Sequence, residues 1–202
     1  MTTIQNIFIR VFSLIFTIFS LISYATTSAD SGQNAEEFVK NISDTVLKVI
    51  QSKITEDKKA KKLEELFIAS VDIDWMAKFA IAKSWKNMSD EQKTQYLAAY
   101  RQYIVKTYVP RFKEYNNQVV KVIGSKDMNN GQYQVMTQII SNQGEEKTTI
   151  NISYRCKESD GKFKVRDIIG EDFSLLATQR SEFAAVIEKG GIEKLIKTLL
   201  NK

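Results

Sequence analysis

Side chains able to act as nucleophiles, general acids or metal ligands are sparse in this sequence, and their spacing forms no recognisable constellation. The 202-residue chain has no histidine. That excludes Ser-His-Asp and Cys-His triads and the HExxH zinc site, and leaves no side chain whose unperturbed pKa lies near neutrality. Ser174 is therefore a hydroxyl without an imidazole to activate it. Cys156 is the one cysteine, which removes CxxC redox chemistry, cysteine-rich zinc sites and any intramolecular disulfide. Its expected place is a buried, apolar-like one. No glycine-rich phosphate loop and no acidic cluster of the calcium or magnesium type is present. A lysine- or aspartate-based site is not marked by any spacing. The residues assign no catalytic group, no metal ligand and no cofactor.

The elements that would position a site begin after a segment that stands apart from the fold. Arg10 is the only charged side chain before Asp30, and it precedes the apolar run Val11 to Ile22 (VFSLIFTIFSLI). One positive charge, a short apolar core and small residues at Ser23 to Ala29 describe a secretory signal peptide over residues 1–25, with cleavage after Ala25 or Ala29. A spanning helix needs about 20 apolar residues. This run reaches that length only by including Arg10 or the region of Tyr24, so a permanent anchor is the lesser alternative. No cysteine lies near the junction for lipoprotein processing. What remains, residues 30–202, has the length of a single domain, and no repeat or flexible linker interrupts it.

The 29 Lys and Arg against 24 Asp and Glu give a net charge of +5. In a stretch such as EDKKAKKLEE at 56–65 the two signs are interleaved, as on a solvated helix face, and no nucleic-acid partner is expected. A weakly basic exported protein can instead be steered toward anionic lipid head groups.

Helical spacing of Phe38, Ile42, Val46, Val49, Ile50 and Ile54 predicts a first helix from Ala35 to about Ile54. A lysine-rich second helix carries Ala60, Leu63 and Phe67. Asp72 or Asp74 can cap a third bearing Trp75, Met76 and Phe79. Ser89 with Gln92 forms a capping box for a long helix from 90 to about 115, which Pro110 should kink or interrupt. The period then drops to two. Strands are predicted at Val119–Lys126, Gln132–Ser141, Lys147–Cys156 and Lys162–Ile169, joined by turns at Asn129-Asn130-Gly131, Asn142-Gln143-Gly144 and Ser159-Asp160-Gly161. Thr148, Ile150, Ile152, Tyr154 and Cys156 share one face of the third strand; Phe163, Val165, Asp167 and Ile169 share the inner face of the fourth. Two C-terminal helices follow, split at Gly190-Gly191. The expected fold class is α+β: N-terminal helices, a four-stranded antiparallel meander with one wet face, and C-terminal helices. Asp167 breaks the pattern, because a carboxylate on an apolar face needs a partner. Three readings stay open: an ion pair or hydrogen bond with Arg180 or Tyr154, a polar contact at the mouth of a ligand cavity, or catalysis, for which no second inward acid is at hand.

Two stretches resemble the MlaC / toluene-tolerance (Ttg2-type) family of periplasmic phospholipid-binding proteins. One is VDIDWMAKFAIAKSWKNMSDEQKTQYLAAYRQYIVKTYVPRFKEY at 71–115, with an aspartate-capped helix and then a Ser-x-x-Gln helix rich in Phe and Tyr. The other is INISYRCKESDGKFKVRDIIGEDFSLLATQRSEFAAVIEKGGIEKLIKTL at 150–199, which is similar to the family's Y-R, G-x-(W/F)-K-V-x-D and S-L…R-x-x-(F/W) series. Three residues depart from that pattern. Ala82 and Asp172 stand where glycine is usual, and Phe163 where tryptophan is commoner.

The resemblance implies a carrier that holds phospholipid as cargo in an apolar cavity between sheet and helices. It would serve in the periplasm of a Gram-negative bacterium and support outer-membrane lipid asymmetry. Its implied partners are an inner-membrane ABC transporter complex with an MCE-domain subunit and an outer-membrane lipoprotein–porin complex. Given that cavity, inward strand parity selects Val135, Ile139, Ile152, Tyr154, Val165 and Ile169 as lining. The helix stripes add Val71, Trp75, Met76, Phe79, Tyr100, Ile104 and Tyr108. All are binding residues and none is catalytic. The alternative is a periplasmic protein-interaction module of the same fold with a filled core and no lipid.

Overall fold

The computed structural model describes residues 31–114, 118–141 and 148–201. The expected leader at 1–25 and its two cleavage points lie outside the described residues, as do Tyr115, the Asn142-Gln143-Gly144 turn and Lys147. No helix among the described residues is long and apolar enough to cross a membrane.

Helix α1 covers 31–51 and buries Ala35, Val39 and Val46 at helical spacing. Helix α2, Glu56–Ser70, opens on Glu56 and Asp57, acids that suit the positive end of the helix dipole, and buries Leu63 and Phe67. Helix α3 is Ile73–Ile81. Asp72 occupies its N-cap position, but the side chain makes no capping bond and instead accepts from Arg166 Nε at 2.8 Å. A 3-10 segment, Ala82–Asn87, follows. The capping box of helix α4 is complete: Gln92 N–H donates to Ser89 Oγ at 3.2 Å and Ser89 N–H donates to Gln92 Oε1 at 2.9 Å. The predicted helix to about 115 is shorter than expected. Helix α4 spans Asp90–Tyr108 and gives way to a 3-10 segment at Val109–Glu114, because Pro110 has no N–H to continue the α-helical ladder.

The chain is α+β, and its sheet has five antiparallel strands in sequence order: β1 Val119–Asp127, β2 Gln132–Ser141, β3 Thr148–Ser159, β4 Lys162–Gly170 and β5 Phe173–Ser174. The meander was expected to have four. The fifth is a two-residue strand, too short to carry a period, created where the chain reverses at Glu171 and Asp172 and pairs back on Ile169 and Gly170. Asp160 and Gly161, both at positive φ, close the β3–β4 hairpin. Helix α5, Leu175–Leu200, breaks at Gly190-Gly191 as the sequence predicted; Gly191, at φ 72° and ψ −173°, takes a conformation open only to glycine.

Helix α1 crosses the inner sheet face. Ser125 Oγ donates to Glu36 at 2.7 Å, and the rings of Phe38 and Phe163 lie 5.7 Å apart. Beyond the β4 edge, α3, α4 and α5 pack together around Tyr96, Tyr100, Phe183, Leu195 and Leu199. Tyr96 donates to the Ala77 carbonyl at 2.8 Å and Tyr100 to Gln179 Oε1 at 2.8 Å, so both buried hydroxyls are satisfied.

Candidate binding cavity

Alternation along β2 sets the two faces of the sheet. Tyr133, Val135 and Thr137 are buried toward the helices, while Gln132, Gln134, Met136 and Gln138 point the other way. Cross-strand partners share a face, so Val120 joins Ile139, and Tyr154 joins Val135. Between β3 and β4 the register shifts by one residue: Cys156 opposes Val165, but Tyr154 opposes Ile168. This bulge reverses the parity of β4 beyond Val165.

Between this face and the first two helices lies a cavity of about 150 Å³. Val39, Ile42, Ser43 and Val46 of α1 form one wall, with Leu66, Phe67, Ser70 and Val71 from α2 and its exit. Val120, Ile139, Tyr154, Val165 and Ile168 form the sheet wall, and Phe112 closes one side. The lining is almost wholly apolar. The hydroxyl of Ser43 is turned back to the Val39 carbonyl at 2.9 Å and so offers little to a ligand. A smaller void of about 20 Å³ shares Phe67, Val71, Val165 and Ile168 with the first and reaches Met76, Ile104, Tyr108, Asp167 and Leu175.

Of the residues selected from sequence, Val71, Ile139, Tyr154 and Val165 line the main cavity. Met76, Ile104 and Tyr108 border the smaller one. Tyr100 and Val135, both at 0% exposure, are packed into the core. Trp75 and Phe79 stack on each other at 5.1 Å, with the Arg166 guanidinium over Trp75 and that of Arg180 over Phe79. Ile152 is half-buried beside Gly170, and Ile169 pairs with Ser153 and Ser174 because the bulge delivers Ile168 to the cavity in its place. The contribution of α1 was not anticipated, although the spacing of Ile42 and Val46 already marked their shared face.

Asp167, 3% exposed, takes partners at the start of α5. Its carboxylate accepts from Ser174 Oγ at 2.6 Å and from the Leu176 N–H at 3.1 Å, with Arg155 Nη1 at 3.6 Å. Ser174 Oγ in turn accepts from the Ala177 N–H at 3.0 Å. Together the two side chains cap the N-terminus of α5, where a carboxylate also faces the positive end of the dipole. Cys156 is buried and its thiol is pushed up to about 12 by desolvation, which removes thiolate character at neutral pH. Burial likewise raises Tyr100 and, less completely enclosed, Tyr108. No group of three or more potential metal ligands occurs among the described residues.

Residues 40–201 match the family described as MlaC protein. A relative from Haemophilus influenzae, the intermembrane phospholipid transport system binding protein MlaC, is 22% identical over 149 residues, covering 72% of this chain and 70% of its own. Among solved structures, a phospholipid-binding protein from Ralstonia solanacearum in complex with a phospholipid superposes with a TM-score of 0.65 at 20% identity. That likeness covers 84% of this chain and 94% of the other, and it establishes a shared fold.

Proposed function

The chain belongs to the MlaC family, and from that premise we propose that it binds phospholipid in the apolar cavity and carries it across the periplasm. The observation that carries this reading is an apolar void bounded by the inner sheet face on one side and by α1 and α2 on the other. Each methylene removed from water is worth about 0.8 kcal/mol, so two acyl chains of about fourteen methylenes each cost roughly 20 kcal/mol to expose. A carrier replaces the bilayer with protein surface of like polarity and leaves the head group wet.

A void of about 150 Å³ is of the size that admits a benzene ring. Acyl chains therefore enter only as α1 and α2 separate from the sheet, with Val71, Ile139, Tyr154, Val165 and Ile168 as the surface they meet. The same binding role extends to Met76, Ile104 and Tyr108. Trp75, Phe79, Tyr100, Val135 and Ile152 would join only in a wider state, and Ile169, turned to the other face by the bulge, would not.

The carrier performs no chemistry; docking shifts it between closed and open states, and direction comes from ATP hydrolysis at an inner-membrane MCE-domain ABC transporter. An outer-membrane lipoprotein–porin complex is the other terminus. Residues 1–25 direct export and are removed by cleavage after Ala25 or Ala29, and 30–202 form the carrier domain, which N-terminal sequencing of the cell-made protein tests. The decisive experiment is organic extraction and mass spectrometry of the purified protein. Phospholipid in near-stoichiometric amount is expected. Its absence would leave a protein-interaction module of the same fold.

A further inference from the structure

The outward face of the sheet carries charge of one sign. Register places Lys121 opposite Gln138, Lys126 and Arg155 opposite Gln134, and Lys157 opposite Gln132. All four therefore share the face of the even-numbered β2 residues, away from the buried Tyr133, Val135 and Thr137. Lys164 pairs with Lys157, and Lys162 with Ser159, which adds two more cations to the same face. The one carboxylate in register with them is Asp167, and it is buried beneath the start of α5. Asp127 and Glu158 pair with Tyr133 and Phe163 and belong to the opposite parity. Among the described residues the other carboxylates lie at the margins, with Asp160 in the β3–β4 turn, and Glu171, bonded to the Asn151 N–H, beside Asp172.

In a chain whose 29 cations and 24 acids are nearly balanced, six cations without an exposed acid between them are not the mixed pattern of a merely solvated face. Among the described residues, Lys121, Lys126, Lys162 and Lys164 enter no ion pair. The rest of the face is Gln, Asn, Ser and Thr with the apolar side chains Val119, Met136, Ile140 and Ile169. No aromatic residue of β1 to β4 points outward.

We propose that this face docks the protein on an anionic bilayer surface. The composition decides between partners. Protein interfaces are depleted in lysine and anchored by Trp, Tyr and Arg, and single-stranded nucleic acid calls for aromatic platforms; this face has five lysines, one arginine and no ring. A lamina of anionic head groups needs only flexible cations spread over a broad, shallowly curved surface, and each contributes about fivefold in binding near such a membrane. The inference is independent of what the cavity holds.

The full chain is tested by flotation with vesicles of equimolar phosphatidylglycerol and phosphatidylcholine, and with vesicles of phosphatidylcholine alone. The apolar run at 11–22 would favour both vesicle types alike, so the difference between them reads the charge. Binding to the anionic vesicles should be stronger and weaken with added salt. A Lys121→Glu, Lys126→Glu, Lys164→Glu triple variant should bind them at least about a hundredfold more weakly. A Lys58→Glu, Lys61→Glu, Lys62→Glu variant of the exposed side of α2 has the same net charge and should retain most of the binding. Equal binding to the two vesicle types, or equal loss in the two variants, would overturn the proposal. Retention on immobilised polyglutamate without vesicle binding would overturn it in favour of an acidic protein partner.

Discussion

Tyr154 stands opposite Ile168 across the β3–β4 ladder, although an unbroken register from the Cys156–Val165 pair would set it opposite Asp167. The single extra residue at this bulge supplies an isoleucine, in place of the carboxylate, to the wall of the main cavity. It also puts Asp167 in register with Arg155 and within reach of Ser174 and Leu176.

Ile168→Arg should therefore reduce co-purified phospholipid at least tenfold, since a guanidinium cannot be left unpaired in an apolar void. Ile169→Arg, one position on, should leave the lipid content nearly unchanged. Mass spectrometry of both variants, with circular dichroism to establish folding, distinguishes the faces. Equal lipid content in the two would contradict the assigned wall.

Asp167→Ala removes the acceptor for the Ser174 hydroxyl and the Leu176 N–H at once. Loss of hydrogen bonds to a charged group, with donors left behind, is expected to cost about 3 kcal/mol in urea unfolding. Asp167 lies outside the main cavity, so the variant should lose stability more than cargo at temperatures where it is folded.

Alkaline pH offers a further check through Cys156. Its thiol is raised from 9.0 to about 12 in the folded chain by burial. The unfolded form thus loses its proton first, and stability falls as pH rises through this window, by up to about 1.4 kcal/mol per pH unit. The four shifted tyrosines start from 10.0 and are also raised, so the thiol leads the decline only up to about pH 9 and the tyrosines together dominate it above that. The window that isolates Cys156 is about pH 8 to 9. Cys156→Ala should flatten the decline there, as read by denaturation at closely spaced pH values.

Ala82 adopts φ 42° and ψ −109° at the end of α3, a region costly for any residue with a Cβ. Ala82→Gly should stabilise the protein by about 1 kcal/mol after the glycine's own entropy loss is counted. For a chain of this length that corresponds to a rise of roughly 2–4 °C in Tm. An unchanged or lower Tm in thermal unfolding would show that the surrounding structure relieves the strain elsewhere.

Sequence periodicity carried most of the architecture because the elements are amphipathic and their stops are chemically explicit. Ser89 and Gln92 announced α4, Pro110 its end, Asp160-Gly161 a hairpin, and Gly190-Gly191 the break in α5. Two departures from the family pattern, Ala82 and Asp172, mark positions that the structure holds at positive φ, so the missing glycines were readable as backbone strain. The bulge beyond Val165 was not readable, since KFKVRDIIG alternates equally well with or without an inserted residue. That one slip accounts for Ile169 in place of Ile168, and for pairing Asp167 with Arg155 across the ladder. Trp75 and Phe79 look like core in a helical stripe, yet the guanidinium groups of Arg166 and Arg180 cover their rings. Such covering contacts join residues about 90 to 100 positions apart and leave no trace in local spacing.

The narrowness of the cavity bears on how cargo is let go. Under the proposed function, with only about 150 Å³ standing open, the walls that acyl chains would meet must first be parted. Prising α1 and α2 from the sheet subtracts from whatever the lipid gains, so affinity is reduced by the fraction of time the wide form exists. Under that reading, a site that closes behind its cargo would release a greasy molecule without exposing its own walls to water, and so would keep a lipid carrier from aggregating between deliveries.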